Sequence, residues 1–149
     1  MIGHDTFMNY AYREAETAYE EQEIPVGCVI VFQNTIIAKA HNQIETLKDP
    51  TAHAEIIAIT SAAEYLQSKQ LVGCSMYVTL EPCAMCAGAI VLSKIENLYF
   101  GAFDNKSGAC GSVLNITNNK QLNHNCNVTG GILDDKCREI LRSFFDVKR

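Results

Sequence analysis

The 149-residue chain has no apolar run long or pure enough to span a bilayer, although apolar residues make up 48% of it. Its first residues, MIGHDTFMNYAYREAE, lack the basic start and apolar core of a secretory signal. There is no internal repeat, no low-complexity tract and no Pro/Gly/Ser linker. These absences set aside a membrane span, an exported disulfide mini-protein and a modular array. The expectation is one cytoplasmic domain over 1–149, large enough to bury its own core without covalent staples. There is also no excess of positive charge. The net charge of −5 speaks against a nucleic-acid partner until its distribution is read. Residues 1–25 carry six acids (Asp5, Glu14, Glu16, Glu20, Glu21 and Glu23) against Arg13 alone. The remainder is neutral and free to carry a local basic patch.

Seven cysteines are present, an odd number for a disulfide framework. Metal ligation or plain burial suits them better. Cys28, Cys74, Cys110, Cys126 and Cys137 sit among apolar or mixed neighbours and read as core residues.

The pattern predicts an order α-β-β-α-β-α-β-β-α. Residues 5–22 place Phe7, Tyr10, Ala11, Ala15, Ala18 and Tyr19 at helical spacing between acids. PVGCVIVFQNTIIAKAHN reads as a hairpin turning near Gln33-Asn34. Residues 52–66 read as a helix, with Asp49-Pro50-Thr51 as its start signal. SMYVTL is a buried strand, and CAMCAGAIVLSKI is a helix of small residues after Pro82. NLYFGAF and residues 126–130 are strands, NKSGACGS is a loop, and DDKCREILRSFFDVK is a final amphipathic helix. Strands alternating with helices predict a three-layer α/β/α sandwich around a mixed five-stranded sheet.

The chemistry lies in His53-Ala54-Glu55 and Pro82-Cys83-Ala84-Met85-Cys86. Two thiolates and an imidazole suit zinc. Cysteines three positions apart on a first helical turn point to one side. Three protein ligands leave a fourth position open, which marks a catalytic centre; a structural zinc would recruit His41 or Cys74. Zinc lowers the pKa of bound water from about 15.7 to about 7. Glu55, two residues past His53, is badly placed to ligate beside it and well placed to move protons. A lone C-x-x-C or H-x-E is weak, but H-A-E followed by P-C-x-x-C is the signature of zinc nucleobase deaminases.

On those residues the chain resembles the bacterial tRNA adenosine deaminases of the TadA type, within the cytidine deaminase-like fold. The likeness runs from about Phe7 to Phe145, through EIPVGCVIV, HNQIETLKDPTAHAEI, MYVTLEPCAMCAGAIVLSKI, FGAFDNKSGACGS, NHNCNVTGGILDDKC and SFF. It implies hydrolysis of adenosine to inosine at the wobble position of a tRNA anticodon, one zinc per subunit and a homodimer. By resemblance, Asn42 hydrogen-bonds the flipped base. Ile24, Pro25 and Val26 floor the base pocket, with Ala54 beside the metal motif. Glu81 and Pro82 shape the wall, and Asp104, Lys106, Asn123 and Phe145 touch the anticodon loop. Lys148 and Arg149 suit phosphate contact. Phe103, and the Lys39-Ala40-His41 segment, depart from the family by lacking an expected arginine. Two other readings compete: deamination of a free base or nucleoside such as guanine or cytosine, and a zinc-stabilised binding module.

Overall fold

The structure, a computed structural model, describes residues 2–148; Arg149 and the side chain of Lys148 lie outside what is described, and with them their expected phosphate contacts. The elements run α1 (His4–Glu20), β1 (Gly27–Phe32), β2 (Thr35–His41), α2 (Ile44–Leu47), α3 (Ala54–Leu66), β3 (Cys74–Leu80), α4 (Ala84–Leu92), β4 (Asn97–Ala102), β5 (Asn127–Thr129) and α5 (Asp134–Lys148). The predicted order is met, with one addition. The single turn α2 is too short to show a periodicity, and its cap comes from far along the chain, as described below.

The five strands form one sheet in the order β2-β1-β3-β4-β5. β1 is antiparallel to β2 and β3, while β3, β4 and β5 run parallel. The β1–β2 turn has Gln33 and Asn34 both at positive φ, 50° and 63°. Two successive left-handed residues match the twist of the strands they join.

Alternation along the strands divides the core into two faces. Cys28 and Ile30 of β1, Met76 and Val78 of β3, and Leu98 of β4 pack with Ala54, Ala58 and Ala62 of α3 and Ala87 and Ile90 of α4. Val29 and Val31, Tyr77 and Tyr99 face the other way, toward Phe7, Met8 and Ala11 of α1 and Cys137 of α5. The result is the three-layer α/β/α sandwich that the sequence predicts. Cys28, Cys74, Cys110, Cys126 and Cys137 are all buried with free thiols.

Gly27 marks the tightest approach between layers. A Cβ there would run into the Ala11 carbonyl and stand 2.5 Å from the Ala15 nitrogen. The absent side chain lets α1 lie directly on β1. Among the described residues, no helix is long and apolar enough to cross a membrane.

Candidate metal centre and active site

The site lies at the carboxyl end of β3, where the sheet changes from antiparallel to parallel pairing. Two helices begin there. His53 is the N-cap of α3 and Cys83 the N-cap of α4, both with extended backbone. Cys86 lies one turn into α4. The expected start signal at Asp49-Pro50-Thr51 sits upstream of the cap. There Asp49 accepts bonds from the Thr51 N–H and hydroxyl at 2.8 and 2.7 Å, closing a turn that delivers His53.

The two caps bring three donors together. His53 Nδ1 lies 3.8 Å from Cys83 Sγ and 3.5 Å from Cys86 Sγ. All three ligand atoms fall within 4.8 Å of one another. Among the described residues, no fourth His, Cys, Asp or Glu joins this cluster. His41, the sequence candidate for a fourth ligand, bonds Glu14 at 3.3 Å and Glu21 at 2.9 Å instead. Cys74 is buried at the far end of β3. Two sulfurs and one imidazole around a common point fit zinc and leave a coordination position for a small molecule.

The electrostatics favour a cation. Hydrogen bonds from the Cys86 thiol and from His53 push the Cys83 thiol down to about 3, so Cys83 is a thiolate. Its sulfur in turn holds the imidazole above its usual value. Cys86, bonded to that thiolate and buried, is pushed upward.

Glu55 follows His53 by two residues and is buried, 4% exposed. Burial pushes its carboxyl up to about 7. A side-chain hydrogen bond also links it to Cys86. A carboxyl near 7 gives and takes protons readily at neutral pH.

Asn42 is buried just past β2, and its carboxamide is anchored at both ends. Nδ2 donates to the Ile24 carbonyl at 3.1 Å, and Oδ1 accepts from the Ala54 N–H at 2.8 Å. One N–H and one lone pair remain for a ligand. Pro25 and Val26 are buried, while Ile24 is 37% exposed.

Glu81 is also buried, with its carboxylate turned into the loop after β4. It accepts from the backbone N–H groups of Asp104, Cys110 and Ser112 at 3.0, 3.1 and 3.1 Å, and from the Ser112 hydroxyl. Burial raises its pKa, but these bonds outweigh burial and hold it below the usual carboxylate value. The Pro82 carbonyl accepts from the Ala109 N–H at 2.9 Å. Glu81 and Pro82 thus fasten the 103–112 loop beside the metal ligands.

That loop lines a cavity of about 720 Å³ with Ile24, Leu80, Phe103, Asp104, Asn105, Lys106, Ser107, Leu141 and Phe145. A second cavity of about 390 Å³ is lined by Gln22, Glu23, Ile24, Ile44, Glu45, Phe144 and Phe145. Ile24 and Phe145 border both. Asp104 and Lys106 therefore share a groove with Phe145, whereas Asn123 is exposed in the loop before β5 and lines neither cavity.

Sequence reasoning missed Glu23, counted there only among the six acids of residues 1–25. It is 1% exposed. Its carboxylate accepts from the Glu45 N–H (3.0 Å), the Thr46 N–H (2.7 Å) and the Thr46 hydroxyl (2.7 Å), capping α2. No local pattern announces a cap supplied from 22 residues away.

Comparison with known proteins agrees with this geometry. Residues 1–102 match the family described as the cytidine and deoxycytidylate deaminase zinc-binding region. The tRNA-specific adenosine deaminase of Aquifex aeolicus is 49% identical over 144 residues, covering 97% of this chain and 95% of that protein. A solved structure from studies of A-to-I editing by tRNA:A34 deaminases, at the wobble position of transfer RNA, superposes with a TM-score of 0.87 at 41% identity. It covers 91% of this chain and 98% of that one. Bacillus subtilis guanine deaminase matches less far, with a TM-score of 0.67 at 36% identity over 74% of this chain and 71% of that one. Three clustered donors at two helix caps, a buried carboxyl beside them and near-full-length likeness place this chain in the tRNA-specific adenosine deaminase family of zinc-dependent hydrolytic deaminases.

Proposed function

We propose that this protein converts adenosine to inosine at the wobble position of a tRNA anticodon, releasing ammonia. The observation that supports it best is the likeness to tRNA-specific adenosine deaminases across 97% of the chain. The likeness to Bacillus subtilis guanine deaminase is weaker, 36% identical over 74% of the chain.

In this reading His53, Cys83 and Cys86 hold one zinc per subunit. Zinc held there supplies the Lewis acidity that makes water a nucleophile at neutral pH. Glu55 takes the proton from the attacking water and delivers it to a ring nitrogen of the base. It then takes the remaining water proton from the added hydroxyl and passes it to the departing amine, so that water and adenosine become inosine and ammonia. Asn42 spends its remaining N–H and lone pair on the edge of the flipped base. Ile24, Pro25, Val26 and Ala54 line the base's apolar surroundings, and Glu81 and Pro82 hold the wall. Asp104, Lys106, Asn123 and Phe145 meet the anticodon loop, read as splayed nucleotides rather than as a helix.

The whole chain, 1–149, acts as one deaminase domain in the cytoplasm, where tRNA is the substrate. It pairs as a homodimer through the outer flank of α4. The inner flank buries Cys86, Ala87 and Ile90, while Met85 and Leu92 remain exposed, Leu92 to 80%.

The decisive assay offers an anticodon stem-loop with adenosine at the wobble position, and separately free adenosine, cytosine and guanine. Inosine formed in the RNA alone is the expected result. Ammonia released only from a free base replaces this reading with the free-base one, and turnover of none of them favours the binding module.

A further inference from the structure

Phe103 is an aromatic side chain that the fold holds open. It is 52% exposed at the mouth of the 720 Å³ cavity. An ordinary surface phenylalanine is free to change rotamer, but this one is fixed from several sides. Its ring meets Phe100 edge-on, with centroids 5.1 Å apart and planes at 85°. Two consecutive glycines lie against it. A Cβ on Gly130 would collide with the Phe100 ring and stand 3.0 Å from Phe103, and one on Gly131 would lie 3.6 Å from Phe103.

Its backbone is tied to the metal loop. The residue before it, Ala102, accepts from the Glu81 N–H at 2.9 Å. The residue after it, Asp104, donates its N–H to the Glu81 carboxylate at 3.0 Å. Glu81 stands two residues ahead of the ligand Cys83. Phe103 is therefore registered to the reacting centre through a single residue.

The cavity it borders joins a stacking surface to a cation. Phe145 and Ile24 form its apolar wall, and Lys106 is exposed on its rim. The nearest acid is partly occupied: Asp104 Oδ1 accepts from the Lys106 and Ser107 N–H groups, both at 3.0 Å. Ile24, which lines this groove, also accepts through its carbonyl from Asn42 of the proposed base pocket. A flat rigid ring, an apolar wall and one flexible cation match an unpaired nucleotide, base on ring and phosphate on lysine.

We propose that Phe103 is a stacking platform for one unpaired base of the RNA loop, next to the nucleotide whose base is deaminated, and so helps to select the loop. This rests on the proposed function above. Both partners are π-faces, so the platform fixes position more than base identity.

The test is a cycle between protein and RNA, using the zinc-loaded enzyme. Phe103→Leu keeps the apolar volume and loses the ring; Phe103→Trp keeps a ring. Anticodon stem-loops with an abasic site at each loop position except the target are compared with the intact loop. Phe103→Leu is expected to raise KM for the intact loop roughly tenfold, the order expected of one lost base–aromatic stack. Phe103→Trp restores it. At one loop position the abasic RNA costs the wild type as much as Phe103→Leu does, and combining the two costs no more. An unchanged KM in Phe103→Leu, or losses that multiply at every position, overturns the platform. Failure of the wild type to deaminate any stem-loop overturns the tRNA reading first, and is a different outcome.

Discussion

Asn42 Oδ1 accepts a hydrogen bond of 2.8 Å from the N–H of Ala54, the residue between the ligand His53 and the acid Glu55. One side chain at the end of β2 thereby holds the first turn of α3 in place. Asn42→Ala removes this acceptor and the donor to Ile24 together. The buried Ala54 N–H is left without its partner, at a cost of about 1–3 kcal/mol. The expected outcome is a lower urea midpoint and reduced turnover with zinc retained. Unchanged stability argues that water replaces the carboxamide.

Glu55 is the proposed proton carrier and is not among the clustered donors. Glu55→Gln preserves size and removes the proton carrier. Turnover is expected to fall by at least roughly 10²–10⁴-fold, the usual contribution of a general acid–base group. Zinc content by atomic absorption stays near one per chain. Loss of the metal along with activity assigns Glu55 to the coordination shell instead.

Cys83→Ala removes one of three donors. The remaining His53 and Cys86 form a two-point site, and the purified protein is expected to carry little zinc. Full occupancy in this variant contradicts the ligand set. The effect on folding separates this centre from a structural zinc: the main buried apolar cluster includes none of the three donors, so far-UV circular dichroism is expected to keep its native form.

Glu23 gives a pH-dependent contribution. Burial raises its pKa, but the backbone and hydroxyl bonds from Glu45 and Thr46 prevail and hold it below the usual glutamate value. A carboxyl depressed in the folded state binds fewer protons there than in the unfolded chain. It therefore stabilises fully above the unfolded pKa of about 4.3, and the benefit disappears as pH falls through the folded value. Glu23→Gln is expected to destabilise by about 1–3 kcal/mol at pH 7, the scale of a charged hydrogen-bonded group. The gap from wild type narrows below about pH 4. A gap that is constant from pH 7 to pH 3 assigns the loss to packing.

Gly27→Ala is a test of the fold rather than of the site. The new methyl meets the Ala11 carbonyl, a backbone atom that moves only if α1 moves. Overpacking of this kind costs about 1–3 kcal/mol or more. The expected result is a marked fall in Tm with weaker attachment of α1, visible as faster amide exchange in residues 4–20. A Tm within a degree of wild type shows that α1 shifts freely on the sheet.

The helices and strands were largely legible because each has one buried face, and burial writes a period of 3.6 or 2 into the residues. α5 (Asp134–Lys148) matches its predicted span because its polar and apolar faces are strongly separated. α3 starts two residues later than the apolar pattern suggests, since Ala52 is buried by the loop rather than by the helix. α2 was invisible because it has four residues and no buried one.

The metal donors were legible for a different reason: chemistry demands particular residue types at particular spacings, and those survive in the linear order. His53, Ala54 and Glu55 with Pro82, Cys83 and Cys86 could be read without coordinates. The burial of Glu23 and Glu81 could not, although the resemblance names Glu81 as a wall residue. A carboxylate in sequence looks the same whether water or three backbone N–H groups surround it. Only the packing of the segment after α1 against α2, and of the segment after β3 against the 103–112 loop, removed the water and supplied the partners. The same holds for Phe103, which local sequence presents as the last apolar residue of a strand. By itself the sequence determined the alternation of elements and the identity of the donors, because both are set by side-chain type and short-range periodicity. The tertiary structure decided which donors converge, which acids are buried and which ring stays open, because those depend on residues brought together from distant parts of the chain.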